Sequence, residues 1–260
     1  MSNSHVCEIV SNLSINEEFF ILQFVWEHPV PKAGQFFMIK PVRSSTFLPR
    51  PISICEYNPK TKIVKFLIAK RGKGTQELAM LNTGEQVLLI GPLGNAWSDF
   101  IPETSNVNSK IGLVGGSAGV APLSALVAEK PDLNFHFFAG FRQGFREKEE
   151  EDAILGYAVK SKKLIISAED GKNALIGRIT DFIVDIENFD VIFTCGPIPM
   201  MNAVKKRCEA KKVPCFLSME SRFACGVGAC LGCTIHSVNG NKRCCKDGPI
   251  FSAGEIKFDE

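Results

Sequence analysis

Ile111-Gly-Leu-Val114-Gly115-Gly116-Ser117-Ala118-Gly119-Val120-Ala121-Pro122 decides the fold. Its first four residues read as a short buried strand, the glycines that follow as a tight turn, and residues 123–130 as an amphipathic helix. The same alternation continues downstream. Residues 135–140, 164–168, 191–194 and 214–219 have strand character, separated by helical patterns over 147–159, 176–186 and 198–211. Strands alternating with helices imply a parallel sheet covered on both faces, and in such sheets ligands sit at the carboxyl ends of the strands. Gly116 and Gly119 in the first turn, and Cys195-Gly196-Pro197 after the strand 191–194, fall at those ends. They are the candidate nucleotide contacts, with Cys195 the one candidate for the reacting centre. Glu169 and Asp170 end another strand. A carboxylate there, Asp170 in particular, would accept from a ribose hydroxyl and repel a 2'-phosphate, which favours NAD over NADP, although Arg142 ends a neighbouring strand.

Upstream the pattern changes. Between Cys7 and Gly91 short runs rich in Val, Ile and Phe are broken by turn residues every eight to twelve positions, as in a small antiparallel barrel. The polar stretch Ile101-Pro-Glu-Thr-Ser-Asn-Val-Asn-Ser-Lys110 separates the two patterns, with a domain boundary at 103/104. Within the barrel, Arg50-Pro51-Ile52-Ser53 sets a cation and a hydroxyl at the start of a strand, suited to a phosphate and a ring nitrogen. Gly74-Thr75 opens a helix-like segment, residues 74–81, with Thr75 as its N-cap and free backbone N–H groups for a second phosphate contact.

The last forty residues carry Cys225-Gly-Val-Gly-Ala-Cys230-Leu-Gly-Cys233, followed by the pair Cys244-Cys245. Three thiols spaced C-x4-C-x2-C with a fourth further on is the plant-type spacing for a [2Fe-2S] cluster. A structural zinc site usually pairs two short knuckles, and only Cys230/Cys233 makes one; a zinc-stapled interaction module is the alternative of another class. Spacing leaves the choice between Cys244 and Cys245 open.

Composition bounds the function. Lys+Arg 30 against Asp+Glu 28 leaves a net charge of +2, with no global field to recruit nucleic acid or an anionic membrane. The most apolar stretch, residues 111–128, holds four glycines and Pro122, which suits a turn better than a span. Five of the 10 cysteines are scattered without disulfide-like spacing, and the opening residues lack an export signal. Both point to a reducing, cytoplasmic setting.

Arg50-Pro51-Ile52-Ser53, the glycine-rich turn and Cys195-Gly196-Pro197, in that order, resemble the ferredoxin-NADP reductase superfamily. Adding Gly74-Thr75, Gly91-Pro92-Leu93-Gly94-Asn95, the cysteine segment and Cys245-x-Asp247-Gly248-Pro249, the chain resembles the electron-transfer subunits of NAD-dependent, type B dihydroorotate dehydrogenases. The resemblance implies an FAD-binding antiparallel barrel (1–103), a parallel-sheet NAD-binding domain (104–219) and a small [2Fe-2S] domain (220–260). It assigns Arg50, Pro51, Ile52, Ser53, Leu67, Ile68, Ala69, Gly74 and Thr75 to FAD. Cys225, Cys230, Cys233 and Cys245 become the cluster ligands, because in that family the fourth cysteine stands one residue before Asp-Gly-Pro. Two departures stand out: Ile52 where many of these reductases carry Tyr, and Ser117 where a glycine is usual. The implied partner is an FMN-containing catalytic subunit in a heterotetramer, whose electrons pass through the cluster and FAD to NAD+ during pyrimidine biosynthesis. The runner-up is the small FAD/[2Fe-2S] subunit of a bifurcating NADH-dependent ferredoxin:NADP oxidoreductase or of a sulfide dehydrogenase.

Overall fold

Residues 4–258 are described by a computed structural model; residues 1–3, on which the reading of the chain's start partly falls, and 259–260, within the third expected domain, lie outside it. The first seven strands are β1 (Ser4–Ser14), β2 (Phe19–Val25), β3 (Phe36–Pro41), β4 (Arg50–Ser53), β5 (Glu56–Asn58), β6 (Ile63–Ala69) and β7 (Gln86–Leu93). They form one antiparallel sheet in the order β4-β3-β7-β1-β2-β6-β5. Its two edge strands, β4 and β5, are joined only by Ile54 and Cys55, so the sheet has to curl until its edges meet. Strand periodicity then sorts the side chains. Phe20, Leu22 and Phe24 of β2 point into the curl with Phe37, Ile39 and Phe66, while Phe19 and Ile21 face out and are buried against the second half of the chain.

Helix α1 (Lys73–Ala79) follows β6 and is capped at Gly72, three residues before Thr75. Thr75 is therefore not the N-cap. From the first turn its Oγ1 accepts from the backbone N–H groups of Arg71 (2.9 Å) and Gly72 (3.2 Å), closing the turn back on itself.

The second sheet is built from β8 (Lys110–Gly116), β9 (Asn134–Phe141), β10 (Lys163–Ala168), β11 (Leu175–Ile176), β12 (Val191–Cys195) and β13 (Cys215–Ser218), all parallel, with α2 (Val120–Glu129), α3 (Lys148–Leu155) and α4 (Ile198–Lys211) between them. Two expectations fail here. Helix α2 is not amphipathic: Val120 to Val127 are all buried, because the helix is wedged between the parallel sheet and the outer face of the first sheet. Residues 176–186 are not a helix; after β11 the chain makes separate 3-10 turns at Ile179–Phe182 and Ile186–Asn188, with Asp185 left-handed between them. Ile179, Ile183 and Ile186 are nevertheless buried, so their spacing reported burial rather than helix.

A hairpin, β14 (Thr234–Ser237) and β15 (Gly240–Arg243), leads into the single turn α5 (Cys244–Asp247) and then β16 (Ile250–Ser252), which pairs antiparallel with β13. The second sheet thus reads β11-β10-β9-β8-β12-β13-β16, and the chain leaves β8 in opposite directions to build its two halves. Strand ends splay at such a reversal and leave a crevice. Among the described residues no helix is long and apolar enough to cross a membrane.

Candidate functional site

The crevice opens at the carboxyl ends of β8 and β12, which pair from Val191↔Ile111 to Cys195↔Gly115. The Gly116–Gly119 turn and the Cys195–Pro197 turn are packed so closely that a Cβ on Gly119 would lie 2.2 Å from the Cys195 carbonyl oxygen, a spacing only glycine permits. Two cavities flank these turns. The first, about 400 Å³, runs over the ends of β8, β9 and β10. Its wall includes Gly116, Pro197, Arg142, Glu169 and Ser167, whose Oγ is fully buried and has no hydrogen-bond partner among the described residues. The second, about 560 Å³, lies between the two sheets, against Pro51, Ile52 and Ser53 of β4, Leu67, Ile68 and Ala69 of β6, Thr75, Gly116, Gly119, Gly196 and Pro197. Most of the residues expected to bind flavin and nucleotide are brought together by this one cleft.

Four are placed otherwise: Asp170, Cys195, Arg50 and Gly74. Asp170 is not on the cavity wall: its Oδ1 accepts from the N–H groups of Gly144 (2.8 Å) and Lys172 (3.2 Å), which hold the carboxyl below its usual range, and Glu169 faces the cavity instead. Cys195 is buried beneath the turn, 2% exposed, and burial, with the Glu220 carboxylate adding to it, pushes its thiol far up. A thiol so held favours its protonated form. Arg50 stands at the mouth, its guanidinium over Gly74 where a Cβ would meet Nε at 2.1 Å, with Nη1 donating to the Leu48 carbonyl oxygen (2.8 Å). A cation resting in a cradle kept open by a missing side chain fits a phosphate at the edge of the second cavity. Replacing Arg50 by Ala is expected to lower FAD retention roughly tenfold, the order of one lost charge-assisted contact; unchanged flavin occupancy after gel filtration would contradict this.

Sequence reasoning missed Glu220 and Ser221, which line the second cavity just past β13. The signal was available, since they follow a parallel strand as Cys195-Gly196 follows β12. Glu220 is an exposed residue, yet desolvation by its neighbours raises its carboxyl pKa against the opposing pull of Arg71.

The cysteine segment folds over the outer face of β3. Phe223 packs edge-on against Phe36 of β3, with ring centroids 5.2 Å apart, and a side chain at Gly226 would run into Met38. Met38 pairs across the sheet with Pro51, which lines the second cavity, so the cysteine loop and that cavity are separated by one pair of strands. Among the described residues no three His, Cys, Asp or Glu side chains converge on a single ion site. The four thiols fall into two pairs. Cys225 Sγ accepts from the N–H groups of Val227 and Cys230 (both 3.4 Å); although desolvation raises its pKa, these donors, the Cys230 thiol and Ala229 N–H bring it down to about 6. Cys233 and Cys245 lie Sγ to Sγ at 3.2 Å, and Cys245 Sγ accepts from Gly228 N–H (3.1 Å). Backbone N–H groups aimed at sulfur favour thiolate, although burial and the facing Cys233 thiol push Cys245 up to about 12 against the Gly228 N–H; two pairs suit a cluster in which each of two irons takes two cysteines. Cys244 is fully buried in the adjoining core, its thiol pushed up to about 12 by burial.

Comparison with known proteins agrees. Residues 220–257 match the family described as the iron-sulfur cluster binding domain of dihydroorotate dehydrogenase B. The electron transfer subunit of dihydroorotate dehydrogenase B (NAD(+)) from Clostridium perfringens is 37% identical over 256 residues, covering 96% of this chain and 97% of that one. Its counterpart from Clostridium acetobutylicum is 34% identical, covering 97% of each. Among solved structures, that of an NADH-dependent reduced ferredoxin-NADP oxidoreductase superposes with a TM-score of 0.80 at 23% identity, covering 99% of this chain and 91% of that one. A ferredoxin NADP+ reductase from Neisseria gonorrhoeae gives 0.65 at 14%, covering 81% and 92%. These two likenesses bear out the ferredoxin-reductase fold. With relatives this similar along nearly its whole length, the chain belongs to the family of dihydroorotate dehydrogenase B electron-transfer subunits.

Proposed function

We propose that this chain carries electrons from the FMN of a separate dihydroorotate-oxidising subunit to NAD+, as the cytoplasmic electron-transfer half of a heterotetramer in pyrimidine biosynthesis. When bound, a [2Fe-2S] cluster supplies one-electron transfer and FAD converts single electrons into the hydride that nicotinamide accepts. The observation that carries this reading is the order of the sites: the second cavity shares one strand pair with the cysteine loop and the Gly116–Ser117 and Pro197 walls with the first cavity. In this reading Cys225, Cys230, Cys233 and Cys245 hold the cluster. Ser53 and the Leu67–Ala69 strand line the flavin ring, Arg50 and Gly74 its diphosphate, and Gly116, Gly119, Gly196 and Pro197 form the wall against which NAD+ lies. Glu169 takes the ribose role first given to Asp170, and Cys195 supports the floor. The division 1–103, 104–219 and 220–260 follows these three loads, with β16 tying the last segment back to the nucleotide sheet.

Pull-down from native extract tests the partner. An FMN-containing subunit that turns over dihydroorotate is expected to co-purify. A large iron-sulfur flavoprotein in its place would favour the bifurcating-reductase reading, which the fold likeness makes the second choice.

A further inference from the structure

Glu18, Arg71 and Ser117 form a polar bridge that neither the fold nor the three sites require. Arg71 Nη2 donates to Glu18 Oε1 at 2.7 Å and to Ser117 Oγ at 3.1 Å, and Ser117 Oγ lies 3.3 Å from the same carboxylate oxygen. The bridge spans the two halves of the chain, with Glu18 and Arg71 at strand ends of the first sheet and Ser117 in the turn after β8. It also stands between the cavities: Arg71 and Ser117 line both, and Glu18 lines the first. Ser117 holds a left-handed backbone, φ 51°, which a non-glycine residue adopts at a cost unless its surroundings fix it. Its two hydroxyl contacts do so.

The ion pair is poorly seated for a purely structural role. The Arg71 side chain is 64% exposed and that of Glu18 39%, and pairs this open to water are weak and easily exchanged. A guanidinium matches a phosphate bidentately and gains more from a diphosphate, with two charges, than from one carboxylate. Any dinucleotide in the first cavity would bring its diphosphate to the Gly116–Gly119 turn at the start of α2, within reach of Arg71. The buried Ser167 hydroxyl in the same cavity, without a hydrogen-bond partner among the described residues, is a second sign that a polar ligand completes this wall.

We propose that Arg71 is a positioning residue that exchanges partners: with the first cavity empty it is held by Glu18 and Ser117, and on entry of a dinucleotide it turns to the diphosphate, so that Glu18 sets the affinity by competing for it. The proposal rests on the first cavity being the NAD seat. Calorimetric titration of the flavin- and cluster-loaded protein with NAD+, and separately with ADP-ribose, tests both. Arg71→Met is expected to weaken both ligands about tenfold, as for one lost charge-assisted contact. Glu18→Gln is expected to tighten both about threefold or more, and the gain should vanish in the double variant. A Glu18→Gln protein that binds more weakly, or a gain that survives loss of Arg71, would overturn the exchange and leave the pair a static tether. No binding of either ligand to the unaltered, flavin-replete protein would instead remove the NAD seat, and the proposal with it.

Discussion

Cys245→Ser is expected to abolish the visible absorption of the cluster, and Cys244→Ser to leave it. Both thiols are buried and pushed up to about 12, and the two differ in their partners. Cys245 faces Cys233 at 3.2 Å and receives the Gly228 N–H, whereas Cys244 points into a core with Phe251 and Ile256, its own N–H donating to the Cys233 carbonyl oxygen at 3.1 Å. A serine hydroxyl at 245 replaces a soft sulfur ligand with a hard oxygen whose proton is lost far less readily. At 244 the same change buries a hydroxyl, which costs about 1–3 kcal/mol of stability without touching a ligand. Iron and acid-labile sulfide assays with an absorption spectrum decide the matter; loss of colour in the Cys244 variant alone would reverse the assignment.

Gly119→Ala is expected to be the most damaging single change in the turns that wall the two cavities. The added methyl would sit 2.2 Å from the Cys195 carbonyl oxygen and 2.8 Å from the Gly196 amide nitrogen, and both are backbone, so relief requires one turn to move away from the other. Overpacking of this kind costs roughly 3 kcal/mol, about 6–12 °C in Tm for a chain of this size. Because the two turns wall both cavities, the flavin and NAD+ should also be held less tightly. A variant with unchanged Tm and unchanged affinity for NAD+ would show that the turns are not in contact as described.

How far these features could be read from sequence depended on whether local or tertiary physics fixed them. The barrel, the alternating second half and the cysteine spacing are local patterns, and the family relationship bears out the fold they imply. The exposed-versus-buried character of α2 is not local: nothing between Val120 and Glu129 reveals that a second sheet covers its outer face. Asp170 and Glu169 are adjacent acids, and only the Gly144 and Lys172 N–H groups, one from a different loop, decide which of them turns away. Ile179, Ile183 and Ile186 show that apolar spacing can be met by successive turns when each isoleucine has its own contact with the sheet. The Glu18–Arg71–Ser117 bridge joins positions up to 99 residues apart, and no local pattern announces such a contact.

One absorption spectrum of anaerobically purified protein, taken before and after adding NADH, bears most directly on the whole. Bands of both flavin and iron-sulfur chromophores that bleach on NADH addition are the expected result. Colourless protein, or protein holding zinc with no iron or labile sulfide and indifferent to NADH, would contradict it.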